Sequence, residues 1–224
     1  CWLDDCRLRL WLSTGRLEEA IRWAEMSGLR VDGQFNYHHD LEHTNLARVL
    51  VAQGTLQPRG FPLDEALHLL DRLFTAAEAA GWIHEEIKIL VLQSLARQAR
   101  GDREEALTVL ARALALDGTL AEAYASLGLL RLNQGSPDAA ELALRQAVNL
   151  NPGYSMAHMW LGLALMETEG PSAALAEFRA ARRPDPLHPA IAVNTAEALA
   201  ATGDYAGATG VIETVAAALG PMAD

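Results

Sequence analysis

Ala106, Ala140, Ala174 and Ala208 follow one another at intervals of 34 residues. Gly101, Gly135 and Gly203 each stand five residues before one of these alanines, and Gly170 stands one place late before Ala174. Pro152 and Pro186 keep the same interval, with Gly118 in the equivalent place one unit earlier. A period of this length marks stacked helix–turn–helix hairpins rather than one globular core. Each hairpin buries its apolar face only against its neighbours.

The regular part divides into units at 87–120, 121–154, 155–188 and 189–222. The second reads Tyr124, Leu127, Gly128, Gly135, Ala140, Leu144, Ala147 and Pro152, and the third His158, Leu161, Gly162, Ala174, Phe178, Ala181 and Pro186. Gly128, Gly162 and Ala196 are small where the first helix of a unit crosses the second, and the 34-spaced alanines face them. Leu144, Phe178 and Ile212 are expected to fill the space alongside. Turn chemistry agrees. Gly101-Asp102-Arg103-Glu104-Glu105 supplies a C-terminal glycine, then an Asp cap with Glu three residues on. Gly135-Ser136-Pro137 supplies glycine, a Ser cap and proline at the first helical position. Pro152 and Pro186 end their helices.

This pattern resembles the tetratricopeptide repeat (TPR). The expected fold is all-α, a TPR-type α-solenoid of about six helix–turn–helix repeats forming a right-handed superhelix. One domain is expected over 1–224, with two divergent repeats in 1–86 and four regular ones in 87–224. In the divergent part Gly15 and Ala20 keep the five-residue offset. A second unit starts near Asp40 with Leu46, Ala47, Leu50 and Gly54, and its alanine is Ala66. Gly54 lies twelve residues before Ala66, which implies about seven inserted residues. The simplest choice is a loop near 57–63, rich in proline and glycine. It reads as a neutral insertion, with a contact loop as the alternative.

Half of the 224 residues are hydrophobic and the formal net charge is −11, a balance that argues against nucleic-acid binding. Arg182-Arg183 reads as a helix C-terminal charge rather than a phosphate site. Cys1 and Cys6, on one expected helix, stand too far apart for an undistorted bridge. Two cysteines in the chain point to a reducing, cytoplasmic setting. No signal peptide or apolar run of membrane-spanning length is present in the sequence. The opening Cys-Trp-Leu-Asp-Asp, without a methionine and already in helical pattern, is read as part of a longer polypeptide.

The stretches Gly15–Leu29, Leu41–Gly54 and Ile89–Ala96 are more particular than a generic repeat. They resemble the helical-repeat region of MalT-like, ATP-dependent LuxR-type transcriptional activators, over roughly residues 1–117. The resemblance implies repeats placed between an ATP-binding switch module and a C-terminal helix-turn-helix, where they receive an inducer or an inhibitory partner. Residues 118–224 resemble ordinary TPRs. The chain holds no GxxxxGK[ST] loop and no basic recognition helix, so this segment itself should neither hydrolyse ATP nor bind DNA.

His39-Asp40-Leu41-Glu42-His43 fits H-x-x-E-H, which sets two imidazoles one helical turn apart as zinc ligands. No third ligand follows from spacing, and a polar cluster at a helix N-terminus is the preferred reading. GxSxG is absent and neither cysteine has a recognisable basic partner, so no catalytic residues, metal or cofactor are expected.

Binding is expected on the first helix of each unit, whose second, fifth, sixth, ninth, twelfth and thirteenth positions line the concave wall of TPR proteins. In 155–188 these are Met156, Met159, Trp160, Leu163, Met166 and Glu167, an adaptable apolar trough anchored by Trp160 and suited to an amphipathic helix or peptide. Leu129 and Asn133 line the unit before, and Asn194 and Glu197 the unit after. The alternative is that these residues fill their own groove or lie beneath neighbouring domains. In the N-terminal half Arg9, Asn45, Arg48 and Lys88, with Asp5, form a polar wall fit for a small effector. The Lys and Asn that clamp a terminal carboxylate in chaperone-binding TPRs are replaced by alanine, serine, methionine and tryptophan. The leading expectation is a non-enzymatic segment of such a regulator, and the runner-up a stand-alone scaffold that binds peptide segments.

Overall fold

Among the described residues, seven glycines with positive φ, each at or near a helix end, set the rhythm of the backbone. Gly101 turns its corner at φ +99°, where its N–H donates to the Gln98 carbonyl at 3.1 Å and Asp102 N–H reaches back to Arg97 at 2.9 Å. These two bonds satisfy carbonyls that a helix end leaves without donors, in a conformation a Cβ disfavours. Gly135, at φ +68°, closes the next unit in the same way onto Leu132 while Ser136 N–H reaches Arg131.

The computed structural model describes residues 2–33, 40–56 and 62–219. They form twelve α-helices: α1 Trp2–Ser13, α2 Leu17–Ser27, α3 Asp40–Leu56, α4 Pro62–Ala80, α5 Ile83–Arg100, α6 Arg103–Leu116, α7 Ala121–Asn133, α8 Pro137–Leu150, α9 Ser155–Thr168, α10 Pro171–Arg182, α11 Pro189–Ala201 and α12 Tyr205–Leu219. No strand occurs among the described residues. The chain divides into two compact units, Cys1–Gly118 and Thr119–Asp224, and within each unit consecutive helices pack against one another. In the first, Leu63, Leu69, Leu70 and Leu90 form a nearly solvent-free core among α3, α4 and α5. In the second, Leu144, Phe178 and Ile191 do the same from α8 to α11.

The small-against-large alternation is visible as contact. A Cβ on Gly128 would lie 2.3 Å from Leu144 Cγ, and one on Gly162 would lie 2.5 Å from the Phe178 ring. Both distances are far inside van der Waals contact, so any larger residue would force Leu144 or Phe178 to shift. Ile212 departs from the pattern. It was expected to be filled in like Leu144 and Phe178, yet it is 41% exposed, because no described helix covers that side of α12.

Two further expectations are corrected. Asp102 and Ser136 sit at N-cap positions, but neither side chain bonds a helix N–H. The Asp102 carboxylate is held by the Arg100 guanidinium instead, a charge-assisted bond that outcompetes a neutral amide. Gly54 lies inside α3 rather than at a turn, and a Cβ there would meet Leu63 of α4 at 2.5 Å. Of the loop expected near 57–63, residues 57–61 lie outside the described residues, and Pro62 and Leu63 open α4.

Candidate interaction surfaces

On α9 the trough residues share a face but differ in access. Met159 is 5% exposed and belongs to the core beside Leu161 and Phe178, so it is floor rather than contact surface. Met156, Trp160, Leu163 and Met166 are half-buried and pack against that core. Trp160 also leans on the small patch made by Ala125, Ala147 and Ala157, with Val148 and Tyr154 beside it. Packing between repeats therefore consumes part of a face expected to be open. The cause is reach: a long side chain on α9 touches α7 and α8 of the hairpin before it. Leu129 and Asn194 are half-buried, while Asn133 and Glu197 are exposed. Burial pushes the Tyr154 phenol up to about 12, with the Glu122 carboxylate adding to the effect, so this hydroxyl stays protonated and neutral.

In the second unit an open groove of about 460 Å³ lies between α11 and α12. Val193, Glu197 and Ala200 line one wall, and Ala208, Ile212 and Glu213 the other. The α11 wall was anticipated from position in the repeat; the α12 wall was not. One sign was available, since α12 carries a single charged residue, Glu213, in 15 positions and so lacks the polar face of a surface helix.

The polar wall of the first unit is internally satisfied. Arg48 Nη1 donates to Asp5 Oδ1 at 2.9 Å and to Asn45 Oδ1 at 2.7 Å, while Arg9 Nε bonds Asp5 Oδ2 at 3.0 Å. Asn45 is 1% exposed, so its side chain supports Arg48 rather than facing a ligand. Burial, helped by the Arg9 charge, holds the Arg48 guanidinium below its ordinary value, while Asp5 and Glu85 pull the other way. Lys88 Nζ donates to Glu85 at 2.8 Å. An enclosed space of about 20 Å³ between Thr44, Trp82, Glu85 and Ile89 has room for about one water molecule. His39 lies outside the described residues; His43 is buried on α3, and no His/Cys/Asp/Glu group among the described residues is placed to hold a metal. Cys1 likewise lies outside them, and Cys6 is an exposed free thiol. No helix among the described residues is long and apolar enough to cross a membrane.

One titratable contact couples α9 to α10. His158 Nδ1 lies 2.7 Å from Glu177 Oε2, and Nε2 lies 3.0 Å from the Pro152 carbonyl. Neither acceptor carries a hydrogen, so only the imidazolium donates to both. The Glu177 hydrogen bond raises the His158 pKa above its ordinary value, against desolvation and the Arg183 charge. A raised folded-state pKa gives stabilisation that is complete below the unfolded value of about 6.5 and fades as pH climbs through the folded value. The thermal midpoint of the wild type should therefore lose ground to that of His158→Gln between about pH 6 and 9. A gap that is constant with pH shows that His158 binds its proton equally in the folded and unfolded chain, so that the Glu177 contact does not favour the imidazolium.

Antiparallel helical hairpins, closed by left-handed glycines and interlocked by glycine–large pairs, define a helical-repeat scaffold of the interaction class. The chain belongs to the tetratricopeptide repeat family: residues 2–119 match the MalT-like TPR region, and residues 91–155, 125–181 and 161–221 match successive tetratricopeptide repeats. No curated protein sequence matches it. Among solved structures it is similar to TTC0263, a thermophilic TPR protein from Thermus thermophilus, at 19% identity and TM-score 0.61 over 77% of this chain and 89% of that one. It is similar to MamA from Desulfovibrio magneticus at 21% identity and TM-score 0.55, over 78% and 93% of the two chains. YrrB, described as a TPR protein with an unusual peptide-binding site, aligns at 18% identity and TM-score 0.51 over 76% and 83%. At these identities the likenesses establish the fold.

Proposed function

We propose that this chain is the non-enzymatic, effector-receiving segment of a MalT-like, LuxR-type transcriptional regulator. A partner segment or small effector binds along Leu129, Asn133, Met156, Trp160, Leu163, Met166, Asn194 and Glu197. The observation that carries the regulator reading is the match of residues 2–119 to the MalT-like TPR region. The half-buried apolar residues on α9, flanked by Asn133 and Glu197, support the choice of surface. The mechanism is conformational. A guest with differential affinity for two packing arrangements of neighbouring hairpins shifts their balance, and with it the state of attached modules. Of the polar wall, Arg9 and Lys88 would be the members to meet a small polar effector, each by giving up its own ion pair with Asp5 or Glu85, since Asn45 is closed off beneath Arg48.

Trp160→Ala is the direct test. A protein or peptide captured by the wild type should bind the variant at least about tenfold more weakly, as removal of a hot-spot aromatic does. An unchanged affinity, with helicity retained, removes this surface from the proposal. A second reading is a stand-alone scaffold that binds peptide segments, favoured by the match of 91–221 to ordinary repeats. An ATP-binding module and a helix-turn-helix encoded with these repeats support the regulator; repeats encoded without them support the scaffold.

A further inference from the structure

Arg182-Arg183 reads from the sequence as helix-end charge, yet the end of α10 carries more charge than a helix end asks for. Residues 119–224 hold five basic side chains, Arg131, Arg145, Arg179, Arg182 and Arg183, against eleven acidic ones. Arg145 is neutralised by Glu141 and Glu169, and Arg131 bonds Gln134. The other three close α10, where Arg183 keeps helical dihedrals at the C-cap. Spacings of three and four residues put them on one helix face with Cβ atoms about 5–6 Å apart, so their charges repel. The negative end of a helix dipole amounts to about half an elementary charge, less than any one of these guanidinium groups.

No carboxylate answers them. Arg48, Arg97, Arg100 and Arg112 of the first unit each pair with an Asp or Glu. Arg179, Arg182 and Arg183 form no ion pair and no side-chain hydrogen bond among the described residues, in a chain with 29 acidic residues. Glu177 is committed to His158, and the Asp185 carboxylate, in the turn after α10, bonds none of the three. Arg182 differs from its neighbours in how it is held. Arg179 and Arg183 are exposed, whereas Arg182 is half-buried, with its Nε closed to solvent and lacking an acceptor. Packing fixes the stem and leaves the Nη1 and Nη2 end of the fork at the surface. His188, half-buried at the N-cap of α11, likewise has a buried Nδ1 without a partner. The turn of residues 183–188 thus runs from three unanswered guanidinium groups to the positive end of α11.

We propose that the α10–α11 turn binds a phosphoryl group, gripped by Arg182 and Arg183 with Arg179 as a further counter-charge. A guanidinium fork meets two phosphoryl oxygens at once, and a dianion offsets two of the three charges where a carboxylate offsets one. Because packing already holds Arg182, little side-chain freedom is lost when the anion arrives. The partner surface proposed above uses none of these residues, so the two stand or fall separately.

Inorganic phosphate titrated into the full chain, with chloride holding the ionic strength constant, tests this. The thermal midpoint of the wild type should rise with phosphate. Arg182→Gln/Arg183→Gln, with unchanged helical circular dichroism, should bind phosphate at least about tenfold more weakly. If that variant fails to fold, Arg179→Gln/Arg183→Gln alters exposed positions alone and should weaken binding in the same direction. Arg22→Gln/Arg103→Gln removes two exposed charges elsewhere and should bind as the wild type does. A wild type that ignores millimolar phosphate overturns the proposal. So does equal binding by the wild type and the α10 variants, an equal loss in the Arg22 and Arg103 variant, or a midpoint that chloride raises as much as phosphate. A free phosphate ester and a phosphorylated segment of another protein present the same group. Glycerol phosphate and a phosphoserine peptide, titrated in parallel, separate them, and the tighter binder names the source.

Discussion

Phe178→Ala should lower the unfolding free energy by about 3–5 kcal/mol, the largest effect expected of any single truncation in this chain. Phe178 is 0% exposed and stands where α9, α10 and α11 meet, among Leu161, Ala174, Ala181 and Ile191. The glycine opposite cannot fill the void, since Gly162 has no side chain to move and its backbone is fixed by helix pairing. Collapse into the cavity would require α9 to shift towards α10, which would strain the seat of α11. Typical domains hold about 5–15 kcal/mol in total, so a large share of the second unit's stability is at stake. Because hairpins in a solenoid contact only their neighbours, the loss should be local. Hydrogen exchange should show protection falling in α9, α10 and α11 and keeping its wild-type level in α4 and α5. A uniform fall over the whole chain would contradict that picture.

The second large effect comes from adding one methyl group. Helix propensity favours alanine over glycine by about 1 kcal/mol, so Gly162→Ala should stabilise if local preference decides. Packing decides otherwise: the new Cβ would lie 2.5–2.9 Å from three atoms of the buried Phe178 ring. Overpacking of this kind costs about 1–3 kcal/mol, and a rigid, fully buried ring places the cost at the upper end. Gly210 is the matched control, since it lies inside α12 with nothing within 4 Å of its Cβ direction. Gly210→Ala should stabilise by up to about 1 kcal/mol, the opposite sign for the same chemistry. Adding Phe178→Leu to Gly162→Ala should recover part of the loss, giving a non-additive pair by denaturant titration. Equal shifts for the two glycine variants would show that the close crossing of α9 and α10 carries no weight.

The fold was readable because one interface recurs. Each unit must place a small residue where its two helices cross and a glycine where the chain reverses, so the same letters return at the same spacing. The first half repeats less strictly. There Gly54 looked like a turn residue and is a crossing residue, because its requirement for a missing side chain comes from Leu63 on another helix. Candidate binding positions were legible only as positions. Repeat register puts Met159 and Trp160 on one helix face, but it does not say which of two long side chains reaches the preceding hairpin. Asn45 and Arg48 are polar letters in groove positions, and their partner Asp5 is 43 residues before Arg48 in the chain. The open wall of α12 was hidden for a different reason: Ile212 has the same letter type as Leu144 and Phe178, and only the lack of a covering described helix sets it apart.

The Gly128–Leu144 and Gly162–Phe178 contacts have the same geometry one unit apart, and this limits how the chain can change in length. A helix turns about 100° per residue, so losing a single residue inside α9 would rotate every later seating side chain off its hairpin. Excising 34 residues such as 155–188 would bring Pro189 after Tyr154 with Ala208 landing in the place of Ala174. Growth and shrinkage of this architecture are therefore quantised, and natural variation in size should come as whole hairpins gained or lost.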